Sequence, residues 1–211
     1  MIETILQDLF VRYPSPSPLY DDLYSAFDLI CGCFDDGGKL LLCGNGGSAA
    51  DCAHIAGELM KGFLLPRDLG SKDFDRFAGI DLSVPPRLQN GLPVIDLTSH
   101  AALFTAFVND VDAETVFAQQ VWVYAKNSPD LLLALSTSGN SVNVVRAVQT
   151  AKALGRKTIA ITGADGGALR RLCDVCLCLP QEQTYQVQEL TLPVYHALCA
   201  AVEAYYFDEE Q

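Results

Sequence analysis

Lys39-Leu40-Leu41-Leu42-Cys43-Gly44-Asn45-Gly46-Gly47-Ser48 is the stretch that decides the fold class. A short apolar run with no polar alternation reads as a strand buried on both faces, the habit of a parallel sheet covered by helices. It runs into a turn rich in glycine, and a helical spacing follows over 48–62. The same unit recurs downstream. Residues 93–97, 131–135, 157–161 and 174–179 read as further strands, and 100–108, 113–126, 141–154 and 166–172 as the helices between them. Five short strands alternating with helices predict βαβ units, hence an α/β fold with a parallel sheet covered on both faces.

Upstream, residues 1–35 read as an arm of two helices. They are parted by Tyr13-Pro14-Ser15-Pro16-Ser17-Pro18, which cannot continue a helix. The second of them, over 21–34, carries Leu23, Phe27, Ile30 and Cys31 on one stripe. Downstream, a long apolar helix is expected over 187–207, with Pro193 inside it predicted to kink it. Residues 63–91 follow no period and read as an inserted loop, either a flap or a packing arm between subunits. At 211 residues the chain is expected to form a single domain over 1–211.

A formal net charge of −12 excludes a nucleic-acid partner, because nothing would neutralise backbone phosphates. It also requires that any phosphorylated ligand be held by local donors. No apolar run approaches the ~20 residues of a membrane span, and Met1-Ile2-Glu3-Thr4 does not begin a secretory signal. A cytoplasmic protein without membrane contact is expected. Its eight cysteines then read as reduced thiols, with Cys43 and Cys199 as small core residues. Cys31 and Cys33, and Cys173, Cys176 and Cys178, have the composition of zinc ligands. Cys176 and Cys178, however, alternate within one strand, whereas structural zinc sites put such pairs on turns.

Chemistry concentrates in two loops and two helices. Gly44-Asn45-Gly46-Gly47-Ser48 and Ser136-Thr137-Ser138-Gly139-Asn140-Ser141 each run from a strand into a helix, at the carboxyl edge where parallel sheets bind ligands. Glycines admit an anion close to the backbone, helix N-termini aim N–H groups at it, and the hydroxyls add neutral donors. Taken singly, either loop is also an ordinary N-capped turn; together they point to a phosphate site. His54 and Glu58, four apart, share a helix face, as metal ligands, an acid/base pair or a plain surface pair. Gln188-Glu189 and His196 lie on the last helix, where His196 among apolar neighbours equally fits a core histidine.

These motifs, in this order over about residues 20–207, resemble the phosphoheptose isomerase family, which interconverts sedoheptulose 7-phosphate and D-glycero-D-manno-heptose 7-phosphate. The resemblance implies a flavodoxin-like five-stranded sheet of the sugar isomerase (SIS) type. It also implies a homotetramer with active sites shared between subunits. Carried over by motif, Asn45, Gly46, Gly47 and Ser48 contact substrate, as do Asn109, Asp110, Glu58 and Gln188, while Ser136, Thr137, Ser138 and Ser141 hold its phosphate. His54, Glu58, Gln188 and His196 match the family's Zn2+ ligands, and Glu58 and His196 its acid/base pair. Two features depart from the family: the link over 63–91 is much longer, and Pro193 is not part of the motif. The resemblance leaves two alternatives: an isomerase of another sugar phosphate, or a non-catalytic regulator of this fold that binds a replication initiator protein or senses phosphosugars.

Overall fold

The computed structural model describes residues 1–80 and 82–208; residues 81 and 209–211, inside the expected 1–211 unit, lie outside the described residues. The arm consists of α1 (Ile2–Arg12) and α2 (Tyr20–Asp35), linked by a 3-10 turn at Ser17–Leu19. Then come β1 (Leu40–Gly44), α3 (Gly47–Met60), a short α4 (Ser71–Asp75), a 3-10 turn at Pro85–Arg87 and β2 (Val94–Asp96). After α5 (Ala101–Asp110) and α6 (Val116–Ala125) follow β3 (Leu131–Leu135), α7 (Val142–Ala153), β4 (Thr158–Thr162), α8 (Leu169–Leu172) and β5 (Val175–Cys178). The described chain closes with α9 (Thr184–Phe207).

The sheet is parallel throughout, in the order β2-β1-β3-β4-β5, the flavodoxin arrangement. Leu40 pairs with Val94 on one side and Leu131 on the other, so strand order reverses between β1 and β3. Successive residues alternate between two cores, as a period of two requires. Leu40, Leu42, Leu131, Leu133, Leu135, Ile159 and Ile161 pack with α2, α3 and α9. Leu41, Cys43, Leu132, Ala134 and Ala160 pack with α6 and α7. Each of these leucines is almost fully buried and contributes about 1.5–3 kcal/mol of transfer free energy. Two rigid layers therefore hold the carboxyl ends of β1 and β3 in register.

The differences from expectation lie at boundaries and in one insertion. Helix α9 starts three residues before the expected 187, because Thr184, Tyr185 and Gln186 are polar or exposed and give no apolar period to read. It runs as one assigned helix across Pro193. The aperiodic 63–91 stretch is tied at its base. Asp68 and Gln89 form an antiparallel bridge, Asn90 N donates to Arg67 O (2.6 Å), and Gly62 N donates to Gln89 Oε1 (3.1 Å). Its outer part exposes Ile80, Leu82, Val84 and Leu88. All eight cysteines are free thiols, Cys43 and Cys199 are core residues, and Cys176 and Cys178 share a strand face with sulfurs 3.6 Å apart.

Candidate active site

The two loops meet at the reversal of strand order. Leaving β1, the chain turns at Gly46, whose φ of +56° is left-handed and favours glycine. Gly47 opens α3, and a Cβ there would collide with the side-chain amide of Gln188, so α9 lies directly on this loop. Leaving β3, Ser136 and Ser141 stand with hydroxyl oxygens 3.0 Å apart, and Ser138 Oγ accepts from Asn140 N (3.2 Å). Gly139 carries φ +64° with the Gly166 carbonyl against its α-carbon, so the loop after β4 buttresses the hydroxyl loop. Two bonds join them, Leu169 N to Gly139 O (3.1 Å) and Ala168 N to Asn140 Oδ1 (2.9 Å). The N-termini of α3 and α7 thus lie side by side at one crevice, with Ser48 N and Ala49 N bonded to Asn45 O and Gly46 O, and Val144 N to Asn143 Oδ1.

Asn143 spans that crevice. Asn45 Nδ2 donates to Asn143 Oδ1 (2.8 Å), and Asn143 Nδ2 donates back to Asn45 Oδ1 (3.0 Å). This reciprocal pair fixes which way the Asn45 amide faces, leaving one donor and one acceptor of it for a ligand.

One turn into α3 the expected side-chain pair forms: His54 Nε2 lies 3.1 Å from Glu58 Oε1. His196, from α9, stands over the His54 ring, centroids 5.0 Å apart and nearly perpendicular. Its Nε2 is buried and has no hydrogen-bond partner among the described residues. Burial pushes the His196 imidazole below its ordinary pKa and the neighbouring His54 adds to this, with Glu58 opposing. Burial alone would raise the Glu58 carboxyl, but the hydrogen bond and charge of Lys61, with His54 behind them, carry it below the usual carboxylate range. Lys61 Nζ donates to Glu58 Oε2 at 2.9 Å.

Past α3 the chain is pulled back under the site. Phe63 lies 5.4 Å from the His196 ring, between ring centres. It is anchored by Glu203, whose carboxylate accepts from the backbone N of Phe63 (2.7 Å), Leu64 (2.7 Å) and Leu65 (3.2 Å) and from Arg67 Nε (2.8 Å).

The fold therefore brings His54, Glu58 and His196 together and seats Gln188 on the first loop. Asn109 and Asp110 show no hydrogen bond to this cluster among the described residues. They end α5, Asn109 donates to Asp110 (2.7 Å), and no other hydrogen bond among the described residues ties the pair to the loops. Among the described residues no group of three or more His, Cys, Asp or Glu side chains is arranged as a metal site. His54, Glu58 and His196 as they stand therefore do not form one. Sequence reasoning did not reach Lys61, Asn143, Tyr195 or the Arg67–Glu203 pair. Lys61 and Asn143 were findable, each lying within three residues of a motif on a helix face. Tyr195 and the buried pair gave no signal, since their partners are more than 100 residues away in the chain.

The sequence model of the SIS domain family matches residues 102–206, which with the sheet order and the hydroxyl loop defines the class: a SIS-type α/β protein. The chain is 40% identical over 176 residues to the phosphoheptose isomerase of Roseiflexus sp. (strain RS-1), covering 83% of this chain and 78% of the relative. It is 34% identical over 211 residues to that of Helicobacter pylori (strain P12), covering 98% of both. The solved phosphoheptose isomerase of Neisseria gonorrhoeae superposes with a TM-score of 0.74 at 31% identity, over 92% of this chain and 91% of that one. The chain belongs to the phosphoheptose isomerase family.

Proposed function

We propose that this protein interconverts sedoheptulose 7-phosphate and D-glycero-D-manno-heptose 7-phosphate through an enediol. The observation that carries the reading is the convergence of Glu58, His54 and His196 beside the crevice between the glycine and hydroxyl loops. The phosphate sits against Ser136, Thr137, Ser138, Ser141 and the first turn of α7, held by neutral donors and the helix dipole. Asn45, Gly46, Gly47, Ser48 and Gln188 line the sugar's path. Glu58, kept ionised beside Lys61, takes the proton from C1 of the ketose and returns it at C2. His196, whose buried Nε2 has no other partner among the described residues, moves the proton from the C1 hydroxyl to the C2 oxygen. Bond changes balance within the sugar and no electrons leave it.

This reading includes a Zn2+ ion taken up by His54, Glu58, Gln188 and His196, whose nitrogen and oxygen donors are of the type zinc accepts, after rearrangement of side chains that do not now form a metal site. His196 Nε2 is a buried nitrogen with nothing to accept from or donate to among the described residues. The chemistry such an ion supplies when bound is Lewis-acid polarisation of the substrate's carbonyl oxygen.

The same reading gives a homotetramer with shared sites. What supports it is α5, a largely apolar helix with no buried residue, which with Val111, Trp122 and Val123 exposes an apolar face. Asn109 and Asp110 lie at the end of that helix. No helix among the described residues is long and apolar enough to cross a membrane, and the eight free thiols suit a reducing cytoplasm.

The test is Glu58→Gln. It is expected to lower turnover at least about a hundredfold while sugar-phosphate binding, followed by calorimetry, stays within a few-fold. Normal turnover by this variant would remove Glu58 as the base.

A further inference from the structure

Strand β5 is an edge of the sheet, and it carries Cys176 and Cys178 on one face with their sulfurs 3.6 Å apart. Neither has a part in the chemistry described so far. Both line a cavity of about 500 Å3 between the arm and α8, together with Leu19, Asp22, Arg170 and Cys173. Cys173, Cys176 and Cys178 are half-buried, whereas the other five thiols are buried, so a reagent in solution meets these three first.

The two neighbouring sulfurs differ in their surroundings. Burial pushes the Cys176 thiol up to about 12 against the opposing bond from Thr162, and its hydrogen bond with Cys178 adds to this. Cys176 therefore keeps its proton and donates it towards the Cys178 sulfur. Thr162 Oγ1 donates to the same sulfur across 3.6 Å. Two donors facing Cys178 make it the attacking atom of a thiol–disulfide exchange and Cys176 the resolving one. Two residues apart on a strand, their α-carbons are about 6.6 Å apart, inside the ~6.8 Å that a disulfide spans.

The Cys178 sulfur also supports the hydroxyl loop. It is seated against the α-carbon of Gly166, where an added Cβ would stand 2.8 Å from it. The Gly166 carbonyl in turn abuts the α-carbon of Gly139, and the next residues, Ala168 and Leu169, bond to Asn140 and Gly139. Closing a disulfide draws the two sulfurs from 3.6 Å to about 2.05 Å. The seat beneath Gly166 has to shift when that happens.

We propose that Cys176 and Cys178 are an oxidation site closed by exchange with a low-molecular-weight disulfide, and that closure loosens the hydroxyl loop through Gly166. Cys178, as thiolate, attacks one sulfur of oxidised glutathione and expels one glutathione thiolate. Cys176 then loses its proton to solvent, attacks the Cys178 sulfur of the mixed disulfide and expels the second. Two protein thiols are oxidised, one glutathione disulfide is reduced to two thiols, and the two protons end on them.

The experiment incubates the full chain with millimolar oxidised glutathione, blocks remaining thiols and maps the peptides by mass. Wild type is expected to hold a Cys176–Cys178 disulfide that dithiothreitol reopens. Cys176→Ser is expected to stop at glutathione on Cys178, and Cys178→Ser to leave Cys176 reduced. Amide hydrogen exchange over 136–141 is expected to quicken on oxidation in wild type and to stay unchanged in Cys178→Ser. Where the isomerase reading holds, KM for sedoheptulose 7-phosphate should rise about fivefold on oxidation, the loss of roughly one hydrogen bond. Both thiols staying reduced, or a disulfide formed through Cys173 instead, would overturn the site. A closed pair with unchanged exchange over 136–141 would overturn its link to the loop. Reduced wild type inactive on the sugar phosphate would overturn the isomerase reading alone, because mapping and hydrogen exchange still decide the thiol pair.

Discussion

Glu203→Ala is expected to destabilise the fold by about 4–6 kcal/mol, more than a typical single substitution. Glu203 and Arg67 have side chains 1% and 0% exposed and meet at 2.8 Å. The guanidinium also donates to Leu59 O (2.7 Å) and Glu58 O (3.2 Å), closing the carboxyl end of α3, and lies 4.5 Å from the centre of the Phe207 ring. Removing the carboxylate leaves a buried cation without its partner, which costs about 3–5 kcal/mol. The backbone N–H groups of residues 63–65 are orphaned too, but Leu64 is well exposed and water recovers part of that loss, leaving about 1 kcal/mol. At about 2.1 cal/mol/K per residue, 211 residues unfold with an entropy near 0.44 kcal/mol/K, so Tm should fall by about 10 °C. Calorimetry at fixed protein concentration measures this, with Arg67→Met/Glu203→Leu as the comparison. The double variant should melt above Glu203→Ala, because it leaves no charge behind. Because Arg67 holds the carbonyls of Glu58 and Leu59, kcat of Glu203→Ala should also drop at temperatures where it is folded. A Tm within about 3 °C of wild type would refute the view that this pair fastens the chain beneath the site.

Asn143→Ala frees the Asn45 amide from both of its cross-crevice bonds, and KM is expected to rise about tenfold with kcat changed less; unchanged steady-state KM would show that Asn45 needs no support. Asp174 accepts from Thr158 N and Oγ (both 2.8 Å) and from Lys152 Nζ (2.9 Å) at the start of β4. Burial works to raise its carboxyl, but these partners outweigh it and hold it below the ordinary carboxylate value. The charge-assisted bonds, worth about 2 kcal/mol, are therefore fully present above pH ~4 and fade as pH falls through the lower folded value. Asp174→Asn should be less stable than wild type at neutral pH, and the gap in urea midpoints should close progressively as pH falls below about 4; a gap that stays constant on acidification would refute the assignment.

How much of this was legible differs from element to element. The strand 131–135 was read to its last residue, because five apolar positions end at the hydroxyl loop on one side and at Pro129-Asp130 on the other. Helix α9 was read late, since its first turn is polar, and 63–91 was read only as aperiodic, since a short helix, a 3-10 turn and one bridge produce no repeating pattern. His54 and Glu58 were legible as a pair because helical spacing alone makes them neighbours. His196 was not legible as their partner from spacing, because the perpendicular contact with His54 crosses between α9 and α3.

Sequence by itself determined what depends on local pattern: the parallel α/β class, the glycine and hydroxyl loops at the ends of β1 and β3 and the one-turn pairing on α3. Tertiary structure alone decided what depends on non-local packing. That includes the strand order that lays the two loops side by side, the Asn45–Asn143 staple, the perpendicular contact of His196 with His54 and the phenol of Tyr195 between Asp51 and His54. The physical reason is that hydrophobic period and turn chemistry act within a few residues. The orientation of a hydrogen-bonding side chain, in contrast, is set by whichever group the folded chain places within about 3 Å of it.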